Sequence, residues 1–394
     1  MKFASRAMRG ISRASIFVGA AAIPCTLIGA SASASASASA SAAHVMPVPK
    51  GFIANSITWT SPQRGWVLGA QACAQGKGTC PDSQVVGTTN GGATWRLIGT
   101  IQAPIPKLGL TERGITETRF ATSKVGWAFA PGLFRSSNGG KTWRSMPIPG
   151  HGKQVLDLAV TSTAAYAIVS PCGYGMGICN SQPLSAWRTN QAGTSWTRMP
   201  LKLHIDVSAN VAAYGSTVYV VNPRVERGSA QLYASTDGGV HFAARRDPCS
   251  SAELYNLIQA APYSATKVAF LCDGNPGFSK AAKAVYRSAN TGKTDTYAGT
   301  MGAFGIQAWL TVSSSGNLAV DSWSDGSFIY INDTTGTTWH MIIGSGDGGA
   351  GFNDITYVSK RVAWVVYGPA DMFSGYGQIG VTRDAGRHWH FRTL

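Results

Sequence analysis

SSNGGKTW, at residues 136–143, is one of seven related octapeptides that recur along this chain of 394 residues. The others are TTNGGATW (88–95), TNQAGTSW (189–196), STDGGVHF (235–242), SANTGKTD (288–295), NDTTGTTW (332–339) and TRDAGRHW (382–389). We call them repeat turns one to seven, in chain order. Their last residues lie 44 to 53 residues apart, and repetition at such an interval indicates one structural unit used seven times.

The residue types of a repeat turn suit a tight hairpin. Most copies begin with Ser or Thr and have Asp or Asn at the third position, and such side chains bond to nearby backbone groups. The eighth residue, such as Trp143, is expected to be buried between neighbouring repeats. Turn five ends in Asp295 and turn six has Thr334 in third position, so we expect these two to be less tightly made. The fifth position should take a positive φ, which only Gly adopts without steric cost, and it is Gly in every copy: Gly92, Gly140, Gly193, Gly239, Gly292, Gly336 and Gly386.

Short apolar segments precede each turn. One lies 15 to 30 residues upstream, as in GWVLG from Gly65 or VAWVVY from Val362, and a second candidate strand lies before it, as in NSITWTS from Asn55. Each repeat therefore indicates four short strands separated by clusters of Gly, Pro, Asn and Ser. The sequence predicts an all-β fold, a seven-bladed β-propeller of four-stranded antiparallel blades over residues 51–394. No spare strand is apparent, so ring closure is expected to depend on packing between the first and last blades.

The first 50 residues differ from the rest in composition. A basic start and an apolar stretch of about 15 residues precede several Ala-Ser-Ala sites, which is typical of a signal peptide over residues 1–30. An uncleaved anchor is the alternative, but about 20 apolar residues are needed to span a membrane. Residues 31–50 are a Ser/Ala-rich linker that we expect to be disordered. The protein is therefore expected to be secreted or held at the cell surface, with no membrane span in the mature chain.

The net charge indicates which classes of partner the protein could bind, and the cysteine count indicates an oxidising compartment. The formal charge is +15, and the part after the leader has 29 basic and 18 acidic residues. Such a surface favours anionic partners, or serves solubility alone. The Lys and Arg residues are scattered, which argues against a specific nucleic-acid groove. Six cysteines in an exported chain suggest three local disulfides, which we predict as Cys73–Cys80, Cys172–Cys179 and Cys249–Cys272.

The repeat turns resemble the Asp box, or BNR repeat, of sialidases, the sortilin ectodomain, xyloglucan-cleaving hydrolases and the photosystem II assembly factor family. The last is the most similar, because SITWTSPQRGWVLG from Ser56 and DITYVSKRVAWVVYG from Asp354 each lead into a repeat turn. The resemblance covers residues 52–394 and implies a propeller with Asp-box turns. It leaves the activity open, since enzymes and binding proteins share the box.

An enzyme of these families needs residues that are hard to find here. The chain has no Arg-Ile-Pro stretch and only four glutamates, whereas the resemblance to sialidases would imply an arginine triad and a Tyr-Glu pair. A divergent glycoside hydrolase remains the alternative, because two carboxylates suffice. The innermost strands bring five carboxylates towards the channel mouth, and these are expected to bond backbone amides or, in the alternative, to act in catalysis: Glu117, Asp157, Asp206, Glu253 and Asp354. No nucleophilic triad, metal site or cofactor is indicated.

A binding scaffold is therefore the preferred interpretation. The long loops and proposed disulfides fall on the face opposite the repeat turns, where they would form a rigid surface. Cationic and aromatic residues on that face suit a protein or an anionic glycan or cell-wall polymer, and we expect the protein to be a monomer. The candidate binding residues are Lys107, Arg113, Arg224, Arg227, Arg245, Arg246, Tyr174 and Tyr376.

Overall fold

A computed structural model describes most of the chain after residue 45. The described residues are 46–72, 81–106, 114–173, 183–203, 209–223, 230–250, 254–274, 281–302, 305–332, 336–345, 350–368 and 377–394. They form seven four-stranded antiparallel sheets and two short 3₁₀ turns, Pro149–His151 and Pro248–Ser250. This confirms the predicted all-β class and the seven blades.

Each blade is one continuous stretch of sequence with its strands in chain order. Blade 1 contains β1 (Phe52–Ser61), β2 (Arg64–Gln71), β3 (Asp82–Thr88) and β4 (Arg96–Pro104). Blade 2 contains β5 (Ile115–Phe120), β6 (Gly126–Pro131), β7 (Leu133–Ser136) and β8 (Arg144–Ser145). Blade 3 contains β9 (Gln154–Val160), β10 (Ala164–Ser170), β11 (Ser185–Asn190) and β12 (Trp196–Arg198). Blade 4 contains β13 (Asn210–Tyr214), β14 (Thr217–Asn222), β15 (Gln231–Ser235) and β16 (Ala243–Arg245).

The last three blades follow the same plan. Blade 5 contains β17 (Leu254–Pro262), β18 (Val268–Gly274), β19 (Lys283–Ser288) and β20 (Thr296–Met301). Blade 6 contains β21 (Gln307–Val312), β22 (Leu318–Trp323), β23 (Ser327–Asn332) and β24 (Trp339–Ser345). Blade 7 contains β25 (Phe352–Tyr357), β26 (Ala363–Tyr367), β27 (Gln378–Thr382) and β28 (His390–Arg392).

The first strand of each blade lies innermost, around a central channel. It contacts the first strand of the next blade, from β1 through β5, β9, β13, β17 and β21 to β25, which returns to β1. Because strands in a blade alternate in direction, the repeat turns and the turns between first and second strands share one face. We call it the turn face. The opposite face, called the loop face, carries the connections between second and third strands and the crossings between blades.

The repeat turns are held by a recurring set of hydrogen bonds. In turn two, Ser136 Oγ accepts a bond from the Gly140 amide at 2.9 Å and donates to Asn138 Oδ1 at 3.1 Å. Asn138 Oδ1 also accepts a bond from the Thr142 amide at 3.0 Å. Turns one, four, five and seven repeat this pattern. Turn five is therefore as fully bonded as its neighbours, contrary to expectation, while turn six falls partly outside the described residues.

Two structural causes explain why the fifth position of the repeat turns is glycine. Six fifth-position glycines have φ between 66° and 97°, as expected. In addition, an aromatic ring of the preceding blade lies against two of them. A Cβ on Gly193 would lie 2.4 Å from Trp127 of β6, and one on Gly92 would lie 2.4 Å from Trp364 of β26. A methyl group there would overlap the ring.

These contacts correct one expectation about the turn aromatics. Trp143 of turn two is only half-buried, with its ring 5.9 Å from that of Phe120. The fully buried rings belong instead to second strands, among them Trp127 at 0% and Trp364 at 1% exposure. The turn aromatic covers the outside of a blade junction, and the second-strand aromatic fills its inside.

Ring closure depends on packing between blades 7 and 1, as predicted. Trp59 of β1 stacks on Trp364 with ring centroids 4.8 Å apart. Val48 and Leu394, near the two ends of the propeller, join the same apolar cluster. Arg392 of β28 also donates a hydrogen bond to the carbonyl of Gly92 in blade 1.

Candidate functional site

An ion cluster occupies the channel where blades 7, 1 and 2 meet. Arg119 of β5 lies between two carboxylates, with its guanidinium 2.6 Å from Glu117 and 3.0 Å from Asp354. The side chains of Arg119 and Glu117 remain 28% and 29% exposed, whereas Asp354 is 12% exposed. Burial by itself lowers the pKa of Arg119, but the charges of Asp354, Glu117 and Asp157 outweigh it and raise that pKa. The guanidinium is thus a permanent cation among carboxylates.

Asp354 joins three blades. Besides Arg119 of blade 2, it accepts a bond from Ser56 Oγ at 2.5 Å and one from the Ile57 amide at 2.9 Å, both in blade 1. Ser56 Oγ in turn accepts a bond from the Thr118 amide of blade 2 at 3.1 Å. The backbone of Asp354 has φ 55°, a left-handed conformation that a non-glycine residue seldom adopts without support from its surroundings. The bonds from blades 1 and 2 supply that support.

Asp157 makes a similar connection between blades 3 and 4. Its carboxylate accepts bonds from the amides of Leu158 and Val211, both at 2.8 Å. Burial raises the pKa of Asp157, although the bonds from Val211 and Leu158 and the charge of Arg119 oppose that effect. The two carboxylates therefore accept backbone amides of the next blade, which matches our preferred interpretation of the channel residues.

Neutral side chains do the same at other junctions. First strands of adjacent blades do not pair as a sheet, so their backbone groups need other partners. Asn55 Nδ2 donates to the Thr116 carbonyl at 2.7 Å, and Asn210 Nδ2 donates to the Ile258 carbonyl at 2.7 Å. Gln259 accepts a bond from the Leu310 amide at 2.7 Å. Polar side chains of the channel thus connect the inner strands around the ring.

A second buried charge pair lies in blade 5, beneath the loop face. Lys283 is fully buried and donates to the carbonyls of Ala281 at 3.0 Å and Gly305 at 2.6 Å, with Asp273 at 3.8 Å. Burial lowers the pKa of Lys283 and raises that of Asp273 to about 6. Asp321 of β22 is also fully buried, and burial raises its pKa well above the ordinary value. None of these three residues was predicted from the sequence as part of a site.

Two predicted binding residues contact the next blade's repeat turn. Arg245 Nε donates to the Thr291 carbonyl at 2.9 Å, and Arg246 binds both carboxylate oxygens of Asp295 at 3.0 and 3.1 Å. They contact turn five of the next blade, and the Arg246 side chain remains 64% exposed, so their role in ligand binding stays a prediction. The other predicted binding residues, Lys107, Arg113, Arg224, Arg227, Tyr174 and Tyr376, lie outside the described residues, as do the channel candidates Asp206 and Glu253.

One of the three predicted disulfide pairs lies wholly within the described residues. The sulfur atoms of Cys249 and Cys272 are 2.01 Å apart, which is a disulfide distance, and both residues are fully buried. Cys73, Cys80 and Cys179 lie outside the described residues, so the pairs that involve them stay predictions.

The described residues contain neither a candidate metal cluster nor a candidate membrane-spanning helix. Within the described ranges, no group of three or more His, Cys, Asp or Glu side chains is placed to hold a metal ion. No helix in that part of the chain has the length and apolarity required to cross a bilayer.

The most informative residues that the sequence did not single out are arginines just before repeat turns. Arg135 donates to the Gln191 carbonyl at 2.7 Å, Arg188 to the Gly238 carbonyl at 3.4 Å and Arg287 to Asn332 Oδ1 at 3.0 Å. Each arginine reaches the repeat turn of the following blade. The signal was present as Arg-Ser or Arg-Thr at the start of turns two, three and five.

This chain was compared with protein-family models, curated proteins and solved structures. No protein-family model matches this chain, and no match was found among curated proteins. Among solved structures, YCF48 bound to D1 peptide is 15% identical over 70% of this chain and 80% of that chain, with a TM-score of 0.45. A GH74 xyloglucanase from Xanthomonas campestris is 11% identical over 86% and 72%, with a TM-score of 0.34. TolB from Acinetobacter baumannii is 13% identical over 68% and 60%, with a TM-score of 0.43.

Proposed function

We propose that this protein is a non-catalytic propeller that binds an anionic partner, a protein or a glycan, outside the cytoplasm. The proposal rests on one observation: the channel carboxylates are bonded within the fold, whereas basic residues outnumber acidic ones in the chain. The channel carboxylates Asp157 and Asp354 hold blades together through bonds to the next blade. Basic residues on the surface, by contrast, have few carboxylates to pair with in a chain of 33 basic and 18 acidic residues.

The loop face remains the proposed docking surface for a macromolecular partner. Its described part presents exposed Lys153 and Lys202, and the predicted residues Lys107, Arg113, Arg224 and Arg227 belong to the same face in the blade scheme. The signal peptide, the Asp-box identity of the repeat turns and the three disulfides belong to this proposal. Together they describe an exported scaffold with a rigid, basic surface.

The proposal is tested by calorimetry of the mature protein against a panel of acidic peptides and acidic oligosaccharides. We expect at least one anionic ligand to bind, with an affinity that falls as salt rises, because exposed charges are screened within about 8–10 Å at physiological ionic strength. Neutral ligands of equal length serve as the control. Failure of every anionic ligand, or binding that ignores salt, contradicts the proposal.

A glycoside hydrolase is the second candidate, favoured by one observation. Glu117 and Asp354 contact the same guanidinium, which places two carboxylates close together at the channel wall, and such pairs hydrolyse glycosidic bonds. A screen with chromogenic glycosides decides between the candidates. Turnover that disappears in Glu117→Gln but persists in Asp82→Asn favours the hydrolase, and absence of turnover favours the scaffold.

A further inference from the structure

A cleft of about 580 Å³ opens on the turn face between blades 1 and 2. This volume falls within the range of about 300–1,000 Å³ typical of ligand sites. The corresponding cleft between blades 3 and 4 measures about 290 Å³. Turns between first and second strands and repeat turns one and two form the walls of the larger cleft, chiefly through Arg64, Thr89, Arg96, Lys124, Ser137 and Lys141.

The larger cleft differs from three other blade junctions in the residue just before the repeat turn. The residue just before the repeat turn is Arg135, Arg188 and Arg287 in blades 2, 3 and 5, and each side chain spans to the next blade. In blade 1 the same position is Gly87, which has no side chain to span the gap. The carbonyl of Gly139 in turn two instead accepts a bond from the buried Trp66 indole at 3.0 Å, which leaves the space above it unfilled.

Four cations surround this space without a carboxylate among the lining residues. Arg96, Lys124 and Lys141 are exposed and Arg64 is half-buried. In the described parts of blades 1 and 2 the acidic residues are Asp82, at the loop-face start of β3, and Glu117, which binds Arg119 in the channel. The repeat turns on either side have neutral Asn90 and Asn138 in third position, where turns four and seven have aspartates. Nothing of the described chain therefore neutralises the cleft.

We propose that this cleft binds a short acidic oligosaccharide, one bearing carboxylate or sulfate groups, as a site separate from the proposed docking surface on the loop face. Exposed hydroxyls of Thr89, Ser123 and Ser137 lie beside the cations and match the hydroxyl-rich surface of a sugar. Peptide partners commonly anchor through an apolar side chain in an apolar pocket. The one aromatic ring in this lining, Trp66, is 3% exposed and its N–H is already bonded, so an acidic peptide is the less suitable occupant.

The repeat provides a matched pair of variants. Lys124 and Lys141 line the cleft, and Lys267 and Lys293 occupy the same two positions in blade 5. There the junction with blade 4 is already spanned by Arg245. Lys124→Gln with Lys141→Gln, and Lys267→Gln with Lys293→Gln, change the net charge equally.

Binding is measured by calorimetry on the whole protein. The probes are a sulfated heparin tetrasaccharide, a tetragalacturonate, a neutral cellotetraose and a tetraglutamate peptide. We expect an acidic sugar to bind, the blade 2 double variant to weaken it at least about tenfold, equivalent to about 1.4 kcal/mol, and the blade 5 variant to change it by less than about twofold. Sulfated and uronate probes tell which anion the site prefers. Equal loss in both variants, or tetraglutamate binding as tightly as the acidic sugars, overturns the proposal.

A second variant, Gly87→Arg, separates a shaped site from general charge attraction. It introduces arginine at the position from which the arginines of blades 2, 3 and 5 reach the following blade, and it adds a positive charge. A shaped cleft loses its ligand when it is filled, whereas binding that follows net charge alone would strengthen and overturn the proposal. Acidic sugars that bind all variants equally would refute the cleft and leave the scaffold function standing. If no acidic sugar binds the wild type, the cleft proposal fails, whereas the loop-face proposal is decided by its own ligand panel.

Discussion

The junction of blades 1 and 2 has an apolar middle and two charged ends, one at the channel and one on the turn face, and the two ends use charge in opposite ways. At the channel, Arg119 contacts Glu117 and Asp354, and Asp354 also binds Ser56 and the Ile57 amide. On the turn face, four cations surround a cleft whose lining has no carboxylate. Charges paired inside the ring stabilise the fold, while cations left on its surface can bind a ligand. A substitution at each end should therefore have a different kind of effect.

The largest effect is expected at the channel. Asp354→Ala removes the acceptor shared by blades 7, 1 and 2 and leaves Arg119 with only one carboxylate. We expect the free energy of unfolding to fall by about 3–5 kcal/mol, because the change removes one partner of a part-buried ion pair and leaves Ser56 Oγ and the Ile57 amide without their acceptor. Urea denaturation measures it, with exposed Asp82→Ala as a control that should stay within about 0.5 kcal/mol. Equal stability of the two variants would contradict the structural role of the cluster.

An intermediate effect is expected from the buried pair in blade 5, as a dependence on pH. The pKa of Asp273 is raised to about 6 in the fold, so the native state binds the proton more tightly than the unfolded chain. Its stabilising contribution is complete below about pH 4 and is lost as the pH rises through about 6. Two pKa units correspond to about 3 kcal/mol. The stability of wild type relative to Asp273→Asn should fall by about 2–3 kcal/mol between pH 4 and pH 7.

A variant with the opposite sign serves as the control for this pH series. The pKa of Asp384 is lowered by bonds from His388 and Thr382, so its stabilising contribution is lost as the pH falls. The stability of wild type relative to Asp384→Asn should therefore decrease towards acid. Parallel pH curves for the two variants would show that the burial of Asp273 has no such consequence.

The smallest effect on stability is expected in the cleft. Lys141→Gln removes one of four neighbouring cations that have no carboxylate in the lining, so the free energy of unfolding should change by less than about 0.5 kcal/mol. At low salt it should rise slightly, because like charges repel there with little screening. Chemical denaturation at two salt concentrations tests this. A clear loss of stability would mean that the cleft cations support the fold and would end the contrast with the channel.

The fold could be predicted from the sequence because the residue types of the repeat turn are each required by the local structure. Gly193 is needed both for a φ of 66° and for contact with Trp127, and seven such turns at a regular interval leave little choice but seven blades. The channel was only partly predicted. Asp157 and Asp354 could be placed on inner strands, but Arg119 pairs with Asp354 across 235 residues of chain, a distance over which local pattern carries no information.

The same limit explains the remaining errors. Spacing shows that most blades have an aromatic residue in both the second strand and the repeat turn, but it does not show which ring fills the junction, so Trp143 was taken for the buried ring instead of Trp127. Arg245 and Arg246 were interpreted from their charge, without the position of the next turn that they bind. The cleft was not predicted because its lining residues come from two blades, and sequence spacing does not show how much space the turns leave between them.

Each sheet is drawn from a single unbroken stretch of chain, and the two ends of the propeller meet in one apolar cluster that contains Val48 and Leu394. No sheet combines strands from the two ends of the propeller, so the chain could begin at a different blade without changing the order of the blades around the ring. A circular permutant that joins these ends and opens the chain between blades 3 and 4 would keep all seven sheets whole. New chain termini could therefore be placed at another blade junction, where a fused domain could be attached.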